Sequence, residues 1–175
     1  MKRCGLLHDP VFLDHQTGVG HPECPERTKL AMKAIRAHNL LDKVESLKPT
    51  LCTSQSLKLV HSQSYLTRAE EDIKKGSVQL STGDTMVCED SWKVAQMATG
   101  GIIGAVDQIM TGSLERAFCL TRPPGHHATP TKGMGFCLFN HVAVAARHAQ
   151  SEHDLGRVLI VDWDVHHGNG TQDIF

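Results

Sequence analysis

The sequence predicts an α/β fold, a parallel β-sheet sandwiched by helices, on three observations. Short apolar runs alternate with amphipathic stretches of helical length along the 175 residues. The run Arg157–Val161 is β-branched and apolar on both faces, as expected of a buried strand in a parallel sheet. Two of the runs end in histidine or aspartate, at the sheet edge where open α/β folds hold their ligands.

Taken in order, Arg3–Leu7 reads as the first strand, followed by a loop from His8 to Arg27 rich in histidine, proline and glycine. Pro25 suits a helix start, and Arg27–Asn39 places Leu30, Ala31, Ala34, Ile35 and His38 on one face. Thr53 or Ser54 caps a short helix reaching His61, and Ser62 caps another that runs to about Lys75. Asp90 or Ser91 caps the helix Trp92–Met110, closed by Gly112. Its Gly100, Gly101 and Gly104 weaken a free helix, so close packing is expected at all three. Ala117–Thr121 is the next strand, Asn140–Gln150 the next helix, and Val158–Asp162 a central strand that no later strand covers on one edge. Right-handed crossovers join the strands. There is no internal repeat and no low-complexity linker.

Composition narrows the function. A 40% hydrophobic, 21% charged chain with a net charge of −1 carries no electrostatic footprint for nucleic acid or an anionic membrane. Its six cysteines include no C-x-x-C pair, which argues against a zinc ribbon or disulfide framework and fits a reducing, intracellular compartment. No run approaches membrane-spanning length, and His8, Asp9 and Pro10 interrupt any signal-peptide core. Of twelve histidines, His38, His148 and His153 read as surface residues.

Two motifs carry chemistry. Past Val161, the residues Asp162, Asp164 and His166 recur at every second position, so an extended backbone turns all three side chains to one side. Carboxylate and imidazole form a donor set for zinc or a similar dication, at ~2.0–2.2 Å. A hydrogen-bonded turn without metal is the plain alternative. In the second motif, RPPGHHA, Pro123 and Pro124 stiffen the strand exit, Gly125 allows a sharp turn, and His126 and His127 follow.

RPPGHHA, MGFCLFN and VDWDVHHGNGTQ, with HPECPER and VHSQSY nearer the front, resemble the zinc-dependent deacetylase family, most closely its class II histone deacetylases and the bacterial deacetylase-like and acetylpolyamine amidohydrolases. The resemblance runs from about Cys4 to Phe175 and implies an arginase/deacetylase-like sheet, with residues 1–175 as the amino-terminal part of one deacetylase domain. It implies Asp164 and His166 as zinc ligands, His126 and His127 as the histidines that bind the reacting water, and His127 as general base. It also implies Asp162 as partner of His126 and contributor to a structural potassium site with the main-chain oxygens of Asp164 and His166. Asn169 is implied as partner of His127, where class I members carry aspartate; a neutral amide orients the ring without raising its basicity as a carboxylate would. Gly135 and Phe136 match the substrate tunnel, Asp84 or Thr85 its polar rim, and Arg27 an arginine near an internal cavity.

The resemblance further implies hydrolysis of N-acetyl-lysine in histones or other proteins, or of an acetylated polyamine, in the cytoplasm or nucleus of a eukaryotic cell. The family's third zinc ligand and its carbonyl-polarising tyrosine have no counterpart up to Phe175, so a truncated, inactive chain is expected. The alternative is a non-catalytic product that acts by binding partners.

Overall fold

A three-stranded parallel sheet organises the chain in the computed structural model, which describes residues 3–175. β1 (Cys4–Leu7) lies between β2 (Glu45–Leu47) and β3 (Arg116–Cys119). Gly5 pairs with Glu45 on one side and Ala117 on the other, and Leu7 with Leu47 and Cys119. β2 was not expected, because three residues beginning with glutamate carry too little periodicity to announce a strand.

Among the described residues six α-helices accompany the sheet, with 3-10 turns at Pro10–Leu13 and Leu41–Lys43: α1 (Pro25–Ala37), α2 (Ser54–Lys58), α3 (Gln63–Lys74), α4 (Ser91–Met110), α5 (His141–Glu152) and α6 (Asn169–Ile174). α4 packs on β1, β3 and α5. Leu7, Phe12, Leu47, Val94, Ala98 and Leu114 form the core between sheet and helix. A second core gathers Leu57, Tyr65, Ile73, Leu138 and Phe139 beneath α3. No helix among the described residues is long and apolar enough to cross a membrane.

Local chemistry sets the helix starts. The Thr53 hydroxyl accepts from the Ser56 N–H at 3.0 Å, the Ser62 hydroxyl from Tyr65 at 3.2 Å, and Asn140 Oδ1 from Ala143 at 3.1 Å. Each such cap is worth about 1 kcal/mol. Asp90 occupies the N-cap of α4 without a side-chain bond, while the Ser91 hydroxyl accepts from Cys88 N–H at 2.8 Å.

Four expectations need correction. The face of α1 carrying Leu30 and Ala34 is exposed; the buried stripe is Pro25, Thr28 and Met32. Thr28 can be buried because its hydroxyl donates to the Pro25 carbonyl. In α4, Gly100 meets the backbone of Thr50–Cys52 and Gly101 meets Leu7, but Gly104 faces open space. His148 and His153 are not surface residues: their side chains are only 13% and 19% exposed.

The fourth correction concerns the run after Arg157. Residues 157–163 form no strand and make no ladder bond to β3, leaving Leu159 86% and Val161 71% exposed. An apolar β-branched run records a preference for a pleated, covered surface. A strand exists only where a neighbour supplies its ladder, and periodicity does not name the neighbour.

Candidate active site

The exit from β3 is fixed by a buried ion pair. Arg122 donates through Nε and Nη2 to the two Glu23 oxygens, the latter at 2.8 Å, and through Nη1 to the Phe12 carbonyl at 3.0 Å. His15 lies against this pair, its Nε2 3.6 Å from Glu23 and its Nδ1 2.8 Å from the Ser91 hydroxyl. Burial pushes the His15 imidazole down to about 4, against the opposing pull of Glu23.

The loop that follows is held by its carbonyls. His141 Nε2 donates to Pro123 O at 3.0 Å, Asn140 Nδ2 to Ala128 O at 3.2 Å and His61 Nδ1 to Thr129 O at 2.9 Å. All three supporting side chains are buried. A chain so constrained at its exit and along its length presents His126 and His127 in one arrangement, ring centroids 4.1 Å apart.

Each histidine has its own partner. His126 Nδ1 lies 2.8 Å from Asp162 Oδ2, and His127 Nδ1 lies 2.6 Å from Asn169 Oδ1. Both partner atoms are acceptors, so each imidazole donates to its partner through Nδ1. Asp162 uses its other oxygen to accept the Asp164 N–H at 3.1 Å. Partial burial raises the Asp162 carboxyl, but the bonds from His126 and Asp164 outweigh it and hold the group below its ordinary range.

Asp164 and His166 are paired with each other. Asp164 Oδ1 accepts the His166 N–H at 2.8 Å and lies 3.0 Å from His166 Nδ1. These two bonds hold the Asp164 carboxyl below its usual range. The His166 ring centroid is 6.0 Å from that of His127, so the two motifs meet.

Opposite them is a tight turn. Cys137 N–H donates to Met134 O at 3.0 Å, and the central residues Gly135 and Phe136 both have positive φ, 57° and 67°. That is the type I′ pattern. Gly135 has its α-carbon against the His127 imidazole, with no room for a β-carbon, and its N–H donates to Asp84 Oδ1 at 2.6 Å. The Phe136 ring meets His21 edge-on at 4.5 Å. Asp84 is exposed; Thr85 is fully buried and donates to the Cys137 carbonyl at 3.0 Å, supporting the turn from below. Arg27 is exposed on α1 and lines a cavity of about 500 Å³ with Gly125, His126, Asp162 and Asp164.

The donors fit a zinc-class ion in part. Asp164 and His166 offer one oxygen and one nitrogen 3.0 Å apart, close to the ~3.3 Å separation of two ligands on a tetrahedral zinc. Among the described residues, no third His, Cys, Asp or Glu atom lies within 4.8 Å of both.

Sequence reasoning missed the supports. Glu23, Arg122, His61, Asn140 and His141 hold the histidine loop, a role that sequence reasoning did not assign to them. Arg122 opens RPPGHHA, and Glu23, His61 and Asn140 lie in HPECPER, VHSQSY and MGFCLFN, stretches that carried the family resemblance and no supporting role.

Comparison with known proteins shows the family of the chain. Residues 21–175 match the family model described as histone deacetylase domain. The chain is 40% identical over 165 residues to histone deacetylase 6 of Caenorhabditis elegans, covering 89% of this chain and 17% of that protein. It is 38% identical over 158 residues to the polyamine deacetylase HDAC10 of Rattus norvegicus, covering 87% of this chain and 27% of that one. The crystal structure of the HDA15 HD domain superposes with a TM-score of 0.93 at 34% identity, over 100% of this chain and 51% of that chain. The chain thus spans about half of that structure and smaller shares of these two relatives.

Proposed function

The chain belongs to the histone deacetylase domain family, and from that membership we propose that it forms the base-bearing half of a zinc-dependent amidohydrolase that removes acetyl groups from lysine. The observation that carries this reading is the meeting of the two motifs, with the His127 and His166 rings 6.0 Å apart. Asp164 and His166 would hold the zinc, with a third ligand and a carbonyl-polarising tyrosine assigned to the part of the domain that the chain does not span. When bound, zinc would supply Lewis acidity, lowering the pKa of a water to about 7 and polarising the acetyl carbonyl.

The chain's own residues do the rest. Asn169 holds His127 with its proton on Nδ1, so Nε2 is the atom that takes the water proton and returns it to the leaving amine. Asp162 keeps His126 oriented beside it and, with the main-chain oxygens of Asp164 and His166, would hold a structural potassium ion. Gly135 and Phe136 border the approach of the acetyl-lysine, and Asp84 stands at its rim. Arg27 faces the cavity beneath.

The substrate is acetyl-lysine of histones or other proteins, with acetylated polyamine as the alternative that the rat relative's name suggests. An intracellular site of action, nuclear or cytoplasmic, goes with that substrate. A second reading, a non-catalytic partner-binding product, is favoured by the exposed apolar side chains of Leu159, Val161, Trp163 and Val165.

The test is hydrolysis of an acetyl-lysine peptide by a chain spanning the whole family domain. His127→Ala should lose ~10²–10⁴-fold in turnover while keeping its zinc. Loss of zinc in that variant, or activity that resists a hydroxamate chelator, would sink the assignment.

A further inference from the structure

We propose that Asp107, His148 and His153 form a second site for a transition-metal dication of the zinc class, bridging the carboxyl-terminal ends of α4 and α5. His148 Nε2 and His153 Nε2 lie 2.6 and 2.7 Å from Asp107 Oδ1. The three ligand atoms all fall within 4.8 Å of one another, the one such group of three or more among the described residues. The inference is independent of the catalytic reading above.

Position and burial favour an ion here. Asp107 sits in the last turn of α4, His148 near the end of α5, and His153 at its C-cap. The rings are 5.7 Å apart and inclined at 75°, so two edges converge on one oxygen. Both imidazoles are largely buried, whereas Asp107 is 45% exposed and leaves an approach from solvent.

The donor chemistry selects the ion. Two imidazole nitrogens and one carboxylate oxygen suit zinc and its neighbours, whereas calcium and magnesium take oxygen ligands. Ligand atoms on a tetrahedral zinc stand ~3.3 Å apart, so each N–O separation must open by ~0.7 Å. A half-exposed aspartate on a helix end can rotate that far. Each neutral imidazole moves its proton from Nε2 to Nδ1, so the ion replaces two N–H···O bonds without loss of charge. Three protein ligands leave a fourth position for water.

Occupancy would tie α4 to the end of α5 remote from Asn140 and His141, the residues that hold the histidine loop. The expected readout is therefore stability. The full chain, stripped with chelator, is titrated with Zn2+ and with Co2+ by calorimetry, visible absorption and thermal melting. The Asp164→Ala/His166→Ala variant, which lacks the catalytic donors, should still bind one ion, develop the visible bands of tetrahedral Co2+, and gain roughly 5–10 °C in Tm at a hundredfold excess over Kd. Adding His153→Gln, which keeps an N–H for Asp107, should weaken binding at least tenfold and abolish the gain. Unchanged zinc affinity on adding His153→Gln overturns the site. So does a missing Co2+ spectrum in Asp164→Ala/His166→Ala, which needs no further variant to fold.

Discussion

The α-carbon of Gly135 lies against the imidazole of His127, so close that a β-carbon would overlap ring atoms Cγ and Cδ2. With φ at +57°, the position excludes a side chain twice over, by contact and by backbone conformation. Gly135→Ala is therefore expected to cost about 1–3 kcal/mol of stability and to displace the His127 ring. Urea denaturation measures the first, and the chemical shifts of the His127 ring the second. A neutral result would show that the turn can withdraw from the histidine.

Glu23→Ala leaves Arg122 buried without a counter-charge. Breaking such a pair from one side costs about 3–5 kcal/mol. The expectation is checked by chemical denaturation beside a surface control such as Glu26→Ala, whose partner Lys29 is exposed and which should leave the denaturation midpoint nearly unchanged.

Acid should unfold the protein early. Burial pushes His15, His61 and His141 from 6.5 down to about 4, so the native state keeps all three neutral. Below pH 6.5 the unfolded chain takes up protons that the folded chain refuses, so stability falls as pH drops from 6.5 towards 4. Three such groups remove about 4 kcal/mol between pH 7.5 and 5.5. Urea midpoints at those two values should differ clearly; coincident midpoints mean that the three imidazoles do not stay neutral.

Asn169→Leu removes the acceptor that fixes the His127 proton on Nδ1. In a chain spanning the whole family domain, turnover should fall ~10–100-fold. Zinc content should stay the same, because Asn169 is not a donor to the ion. Equal losses of zinc and turnover would place Asn169 in the metal shell instead.

The sequence made the strong local signals readable. Thr53 and Ser62 cap the helices that their hydroxyl groups announce, and Pro25 opens α1. Both motifs lie in one place in the fold; the pairing of His126 with Asp162 and of His127 with Asn169 was implied by the family resemblance and not by spacing. What periodicity could not supply was the neighbour. Leu30 looked like core and faces solvent, Leu159 looked like a central strand and has no ladder, and His148 looked like surface and is mostly buried. For His148 the deciding partner is Asp107, 41 positions away along the chain. The supports at Glu23 and His61 escaped notice for the same reason: their partners are Arg122 and Thr129.

The bond between Glu23 and Arg122 closes a span of 99 positions, and β1 meets β3 across a comparable distance. Closing so long a loop costs entropy before any contact rewards it, and chains dominated by remote pairings assemble slowly. The histidine loop emerges directly from Arg122, so its shape waits on the arrival of the amino-terminal arm. During synthesis, chemistry therefore ripens last: a competent pair of imidazoles appears only once the two ends of that span have found each other.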